Sequence, residues 1–137
     1  MALKLSLKPS ERFVVNGAVM ANGDRRSVLT VENRAAILRE RDLMQEEEAD
    51  TPARRVYFAL MCAYLDPEQR EDYLPQFSDL MAAFLDAILN PEARELCLAA
   101  SEAVLKGDFY AALAKLKRLI AYEDGVLNAV REAEACR

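Results

Sequence analysis

Hydrophobic positions along this chain change period near residue 50: before it they alternate, and after it they recur every three or four residues. Leu3, Leu5 and Leu7 alternate with Lys4, Ser6 and Lys8, which puts the leucines on one face of an extended segment and the polar residues on the other. Pro9-Ser10 ends it. Phe13-Val14-Val15 and Ala18-Val19-Met20 flank Asn16-Gly17, a dipeptide whose tolerance of positive φ suits a two-residue hairpin turn. Asn22-Gly23-Asp24 makes a second turn, and Ser27-Val28-Leu29-Thr30-Val31 is a β-branched run before a polar corner at Glu32-Asn33-Arg34. Ala36-Ile37-Leu38-Arg39 reads as a last strand, although its residues also suit a helix. Four or five short antiparallel strands result. So small a sheet buries little by itself and is expected to pack on helices or on a second copy of the chain.

The rest of the chain is helical in period and regular in punctuation. Thr51-Pro52, Asp66-Pro67 and Asn90-Pro91 each join an N-cap side chain to a proline at the first helical position, where its missing N–H costs nothing. Gly107-Asp108 supplies a stop followed by another cap. Apolar stripes follow at helical spacing, for instance Phe77, Leu80, Met81, Phe84 and Leu85, then Leu113, Leu116, Leu119 and Ile120. Four helices are implied, with Pro75 dividing residues 67–73 from the main second helix. The fold class is therefore α+β: a small antiparallel β module at the N-terminus followed by an antiparallel bundle of about four helices.

Charge divides the chain at the same place. Residues 1–45 carry eight basic against five acidic side chains, a net of +3, so the chain's net charge of −5 leaves −8 on the remainder. The reading is a basic β module over 1–45, an acidic linker over 46–52 built on Glu46-Glu47-Glu48, and an acidic helical bundle over 53–137. Composition narrows the chemistry further. The chain has no His and no Trp, so histidine triads, histidine metal sites and histidine general bases are excluded. Cys62, Cys97 and Cys136 are odd in number and share no CxxC spacing, which argues for a reducing compartment without disulfide or zinc. No apolar stretch reaches bilayer length and the N-terminus lacks the hydrophobic region of an export signal, so a cytoplasmic protein without a membrane span is expected. Paired carboxylates such as Glu71-Asp72 and Glu123-Asp124 accompany no nucleophile, phosphate loop or metal-ligand spacing. No catalytic residue, metal site or cofactor is assigned.

The basic residues of the strand module carry more information. Lys4 and Lys8 share the polar side of the first strand, and Arg25-Arg26 follows the second turn, so a sheet can gather these charges for phosphate contact. Arginine suits that task because its planar fork grips phosphate and stacks on unpaired bases. Ordinary solubilising charge is the competing explanation, because the net of +3 is modest and the strands carry no aromatic stacking platform. In the last helix, Leu105-Lys106-Gly107-Asp108-Phe109-Tyr110-Ala111-Ala112-Leu113 has the flavour of a tetratricopeptide helix pair, but no second copy recurs at a fixed period. Tyr110, Leu113, Lys117, Ile120 and Tyr122 form the candidate wall of a groove for an amphipathic partner helix.

Leu3-Lys4-Leu5-Ser6-Leu7-Lys8-Pro9, Asn16-Gly17-Ala18-Val19, Asn22-Gly23-Asp24-Arg25-Arg26, Ile37-Leu38-Arg39-Glu40, Met44-Gln45, Thr51-Pro52-Ala53-Arg54, Tyr64-Leu65 and Leu119-Ile120-Ala121-Tyr122-Glu123 together resemble the FlbT family of flagellar-biosynthesis regulators. The resemblance runs in order along nearly the whole chain, and weakens from Asp124 onward and at Glu46-Glu47-Glu48. It implies a cytoplasmic bacterial protein that associates with the 5′ untranslated region of flagellin mRNA and represses translation or promotes decay. It also implies links to flagellin and to a small flagellar partner, FlaF. The family has no catalytic residues to transfer. The candidate RNA contacts are the basic positions inside or beside the matching blocks: Lys4, Lys8, Arg25, Arg26, Arg39, Arg41 and Arg54. The alternative is a chaperone-like module that binds flagellin or FlaF through the helices and affects the message indirectly.

Overall fold

The computed structural model describes residues 3–136 and has the α+β architecture expected, strands first and helices after. Five strands form: β1 (Leu3–Leu7), β2 (Arg12–Val15), β3 (Ala18–Ala21), β4 (Ser27–Val31) and β5 (Ile37–Arg39). They make two antiparallel sheets, β1 with β4 and β3-β2-β5, in place of a single one. Asn22 accounts for the division. Its Nδ2 donates to the carbonyls of Lys8 (2.8 Å) and Arg25 (2.9 Å), while its Oδ1 accepts from Ser27 Oγ (2.8 Å), so the chain leaving β3 is diverted into β4.

The β2–β3 hairpin forms at Asn16-Gly17, with φ of 49° and 85° at the two turn positions, and pairs Val15 with Ala18. Both angles lie in the left-handed region that such turns require. A methyl group on Gly17 would stand 3.0 Å from the Leu65 carbonyl oxygen, because the hairpin tip abuts the end of the first helix. Gly17→Ala is therefore expected to lower unfolding free energy by about 1–3 kcal/mol, read from urea midpoints at unchanged slope.

Four helices follow: α1 (Pro52–Leu65), α2 (Arg70–Ala87), α3 (Pro91–Leu105) and α4 (Phe109–Ala135). Thr51, Asn90 and Asp108 accept from the amides of Arg54, Ala93 and Ala111, capping α1, α3 and α4 as their spacing predicts. The second cap works differently. Asp66-Pro67 opens a single 3-10 turn, Pro67–Gln69, and α2 starts at Arg70. Nor does Pro75 divide this region: it lies inside a continuous α2. Pro75 is near the exposed start of that helix, where water can take up the carbonyl its missing N–H leaves free, and Phe77, Met81 and Phe84 bury the turns that follow.

α1 lies against both α2 and α4, and α3 packs on α4. The core they share includes Val56, Tyr57 and Leu60 of α1, Phe77 and Met81 of α2, Cys97 and Ala100 of α3, and Leu113, Leu116 and Leu119 of α4. Leu38 of β5, 1% exposed, belongs to the same core. The chain between strands and helices is also tied down: Leu43 and Met44 pack on the core, and the Tyr57 hydroxyl donates to the Asp42 carbonyl at 2.7 Å. The acidic run forms an exposed 3-10 turn, Glu46–Glu48, closed by reciprocal bonds between Gln45 and Glu48. Cys97 fills core space, and burial pushes its thiol up to about 11.

Candidate nucleic-acid interface

Arg39, the last residue of β5, joins the two sheets. Its Nη2 donates to the Ser6 carbonyl in β1, and its Nε lies 3.3 Å from Glu11 Oε2, just before β2. Glu11 also accepts from the Lys8 amide at 2.9 Å. That amide, and then the Arg39 guanidinium, hold the Glu11 carboxyl below the usual carboxylate range. Fixed in this way, Arg39 forms the wall between two open clefts. One, of about 350 Å³, is lined by Leu3, Lys4, Leu5, Ala35, Ile37, Arg39, Arg41, Tyr64 and Tyr110. The other, of about 470 Å³, is lined by Ser6, Leu7, Lys8, Arg26, Ser27, Val28 and Arg39. Folding thus brings Lys4, Lys8, Arg26, Arg39 and Arg41 around one pair of adjoining clefts. Arg25 lines neither and stands exposed beside Arg26.

Two aromatic rings sit at the first cleft. Tyr64 comes from the last turn of α1 and Tyr110 from the first turn of α4, with ring centroids 6.4 Å apart and planes inclined by 54°. The Tyr64 hydroxyl accepts from the Ile37 amide (3.0 Å) and donates to its carbonyl (3.2 Å), which docks α1 on β5. Tyr110 is 55% exposed and presents ring surface to solvent. The strands bring no exposed aromatic ring to this cleft, and the helices supply one. Tyr64 escapes the sequence reading because nothing in the strand pattern points to the helix turn that supplies it. Cations beside an exposed aromatic ring match what unpaired RNA offers, phosphate oxygens and free base faces.

Arg54 stands apart from this group. Its two Nη atoms bind both Asp124 oxygens at 2.7 and 2.8 Å, and Nη1 lies 3.8 Å from Glu123 Oε1. Glu123 Oε2 accepts from the Ala53 amide at 2.9 Å, so α4 holds the start of α1 in a clasp. Arg54 keeps the Asp124 carboxyl below its ordinary range, and its guanidinium is committed to α4.

The candidate partner residues also separate. Tyr110, Leu113 and Lys117 line a cleft of about 260 Å³ with Leu38, Arg41, Asp42, Tyr57 and Ala114. Lys117 pairs there with Asp42, and the leucine is almost fully buried. Ile120 and Tyr122 pack against the core and do not line the cleft. Arg70 lies over the Phe109 ring, 4.8 Å from its centroid, and its Nε donates to the Ala63 carbonyl at the end of α1. Among the described residues no group of three or more His, Cys, Asp or Glu could hold a metal ion, and no helix is long and apolar enough to cross a membrane.

Comparison with known proteins adds a family to this geometry. The profile of the family described as "Flagellar protein FlbT" matches residues 3–127. A protein of Caulobacter sp. (strain K31) named "Probable flagellum biosynthesis repressor protein FlbT" is 48% identical over 130 residues, covering 95% of this chain and 99% of that one. The "Flagellum biosynthesis repressor protein FlbT" of Caulobacter vibrioides (strain ATCC 19089 / CIP 103742 / CB 15) is 45% identical, covering 95% and 92% respectively. A probable repressor of the same name from Rhodopseudomonas palustris (strain TIE-1) is 35% identical over 93% of this chain and 99% of its own. No solved structure matches. A family profile spanning nearly the whole chain and relatives aligned almost end to end place this chain in the FlbT family of flagellar proteins.

Proposed function

We propose that this chain represses flagellum biosynthesis in the cytoplasm after transcription, by holding the 5′ untranslated leader of flagellin mRNA in the two basic clefts and so blocking translation or exposing the message to decay. The observation that carries this reading is Arg39 as a common wall, with Lys4, Arg41 and the Tyr64–Tyr110 pair on one side and Lys8 and Arg26 on the other. The relatives' names add that they are repressors. In this reading the cations hold successive phosphates, Tyr110 offers its face to a base, and Glu11 keeps Arg39 in place. Arg54 takes no part.

Filter binding of purified protein to a flagellin leader across a salt series tests it. Lys4→Ala with Lys8→Ala, one cation from each cleft, is expected to lower affinity ten- to thirtyfold at physiological salt. It should also make the log–log salt slope less negative by about 1.4, two contacts at roughly 0.7 each on a single strand. Tyr110→Ala should lower affinity while leaving the slope unchanged, because a stacked base releases no counterion. Unaltered affinity and slope in the double lysine variant would remove the clefts as the site.

A second reading rests on a different observation. Val126, Leu127 and Val130 are exposed on α4 beyond the last buried residue, Glu123, and give the acidic helical unit an apolar stripe for flagellin or FlaF. Co-purification after nuclease treatment separates the readings: a complex that survives without RNA supports the protein partner, and one lost with the RNA excludes it.

A further inference from the structure

We infer that β4 is the interface for a second copy of this chain, pairing antiparallel with its own equivalent to make a four-stranded sheet in the order β1-β4-β4-β1. The strand has the properties of an unfinished edge. β4 pairs with β1 on one side and with no other strand among the described residues. Its residues Ser27-Val28-Leu29-Thr30-Val31 carry no charge and no proline, the devices that ordinarily blunt a sheet edge. Val28 is 62% exposed and Leu29 39% exposed. A two-stranded ribbon is also marginal in water, and a second pair of strands would relieve that.

The sequence around the strand selects the register. Leu5 of β1 pairs with Leu29 of β4. When Leu29 is placed on the two-fold axis, Leu5 and Leu29 of both copies form one apolar row across four strands. Whichever antiparallel pair type Leu29 makes toward β1, it takes the other type toward the second copy, so the ladder continues without a bulge. The same register sets Arg26 opposite Glu32 of the second copy, and symmetry repeats that pair; exposed and carrying five donors, the Arg26 guanidinium can face this carboxylate and a phosphate together. Asp24 and Arg34 lie two positions further out at the same ends and are again opposite in sign. None of these four side chains enters an ion pair among the described residues. The edge strand β3 lacks this match. It is uncharged too, but it begins directly after the positive-φ residues Asn16 and Gly17 and is flanked by Asn22 and Gly23, with no complementary charges.

Sedimentation and light scattering of the full chain, free of RNA, test the inference. A monomer–dimer equilibrium is expected in the micromolar range, and a protein that stays monomeric to roughly 100 µM would overturn it. Glu32→Arg sets Arg26 against arginine twice and should raise the dissociation constant about tenfold or more, while Arg26→Glu combined with Glu32→Arg should restore it. If neither variant moves the equilibrium, the register is wrong. Leu29→Cys in a Cys136→Ser background supplies the positional readout, because paired Cα atoms about 4.5–5.5 Å apart lie within disulfide range. Mild oxidation should cross-link this folded variant, its fold checked by circular dichroism. A dimer that forms without the cross-link lies elsewhere on the molecule and also overturns the inference.

Discussion

Tyr57→Ala is expected to cost about 3–5 kcal/mol of unfolding free energy, the range for truncating a fully buried aromatic, against a total near 5–15 kcal/mol for a domain of this size. Tyr57 is 2% exposed and sits in the core shared by the helices and Leu38. Its hydroxyl also holds the Asp42 carbonyl, the point where the strand region passes toward α1. Two effects are therefore lost together, a large buried volume and a bond between the units. Tyr57→Phe separates them: it keeps the ring, leaves the carbonyl unpaired and should cost about 1–2 kcal/mol. Urea titrations of both variants decide the matter. Equal losses would mean that the ring contributes nothing beyond its hydroxyl.

The second large effect belongs to the clasp at the start of α1. Arg54→Ala removes both bonds to Asp124 and leaves the Glu123 carboxylate, buried on α4, with the Ala53 amide as its remaining partner. Much of Asp124 is open to solvent, so the expected cost at neutral pH is about 1–3 kcal/mol, below that of breaking a fully buried pair. Acid should erase the difference. Arg54 depresses the Asp124 carboxyl, so the clasp contributes fully above the unfolded-state value near 4 and is lost as pH falls through the lower folded-state value. Wild type and variant should therefore converge below about pH 4. Glu11 adds an acid loss of the same sign that the variant retains. Urea midpoints measured across pH 2–7 check both size and direction, and a constant gap would show that Asp124 does not titrate with the clasp.

Much of this architecture is legible in local chemistry. Asn16-Gly17 specifies its hairpin because few other dipeptides accept positive φ at both positions, and Thr51, Asn90 and Asp108 mark helix starts because each can satisfy a free amide. Pro75 misleads for an equally local reason. A helix-breaking preference of a few kcal/mol yields when buried Phe77, Met81 and Phe84 hold the turns that follow. The division into two sheets is hidden because it depends on where one side chain, Asn22, sends its hydrogen bonds. The candidate site follows the same rule. Lys4, Lys8 and Arg26 are readable as basic strand-module positions, but their meeting around Arg39, and the aromatic pair brought from two helix ends, exist only once the strands dock on α1 and α4. Arg54 matches the basic pattern equally well and is spent on Asp124, a partner seventy positions away that no local reading exposes.

Leu38 places a strand residue in the core of the helices, and Tyr57 and Tyr64 each bond backbone on the strand side. Stability is consequently common property: a ligand that binds the clefts and avoids the unfolded chain raises the melting temperature of the helices too, by mass action through RT ln(1 + [L]/Kd). A second ligand, bound on the helices, would add its own increment to that one melting transition, with no moving part between the two surfaces.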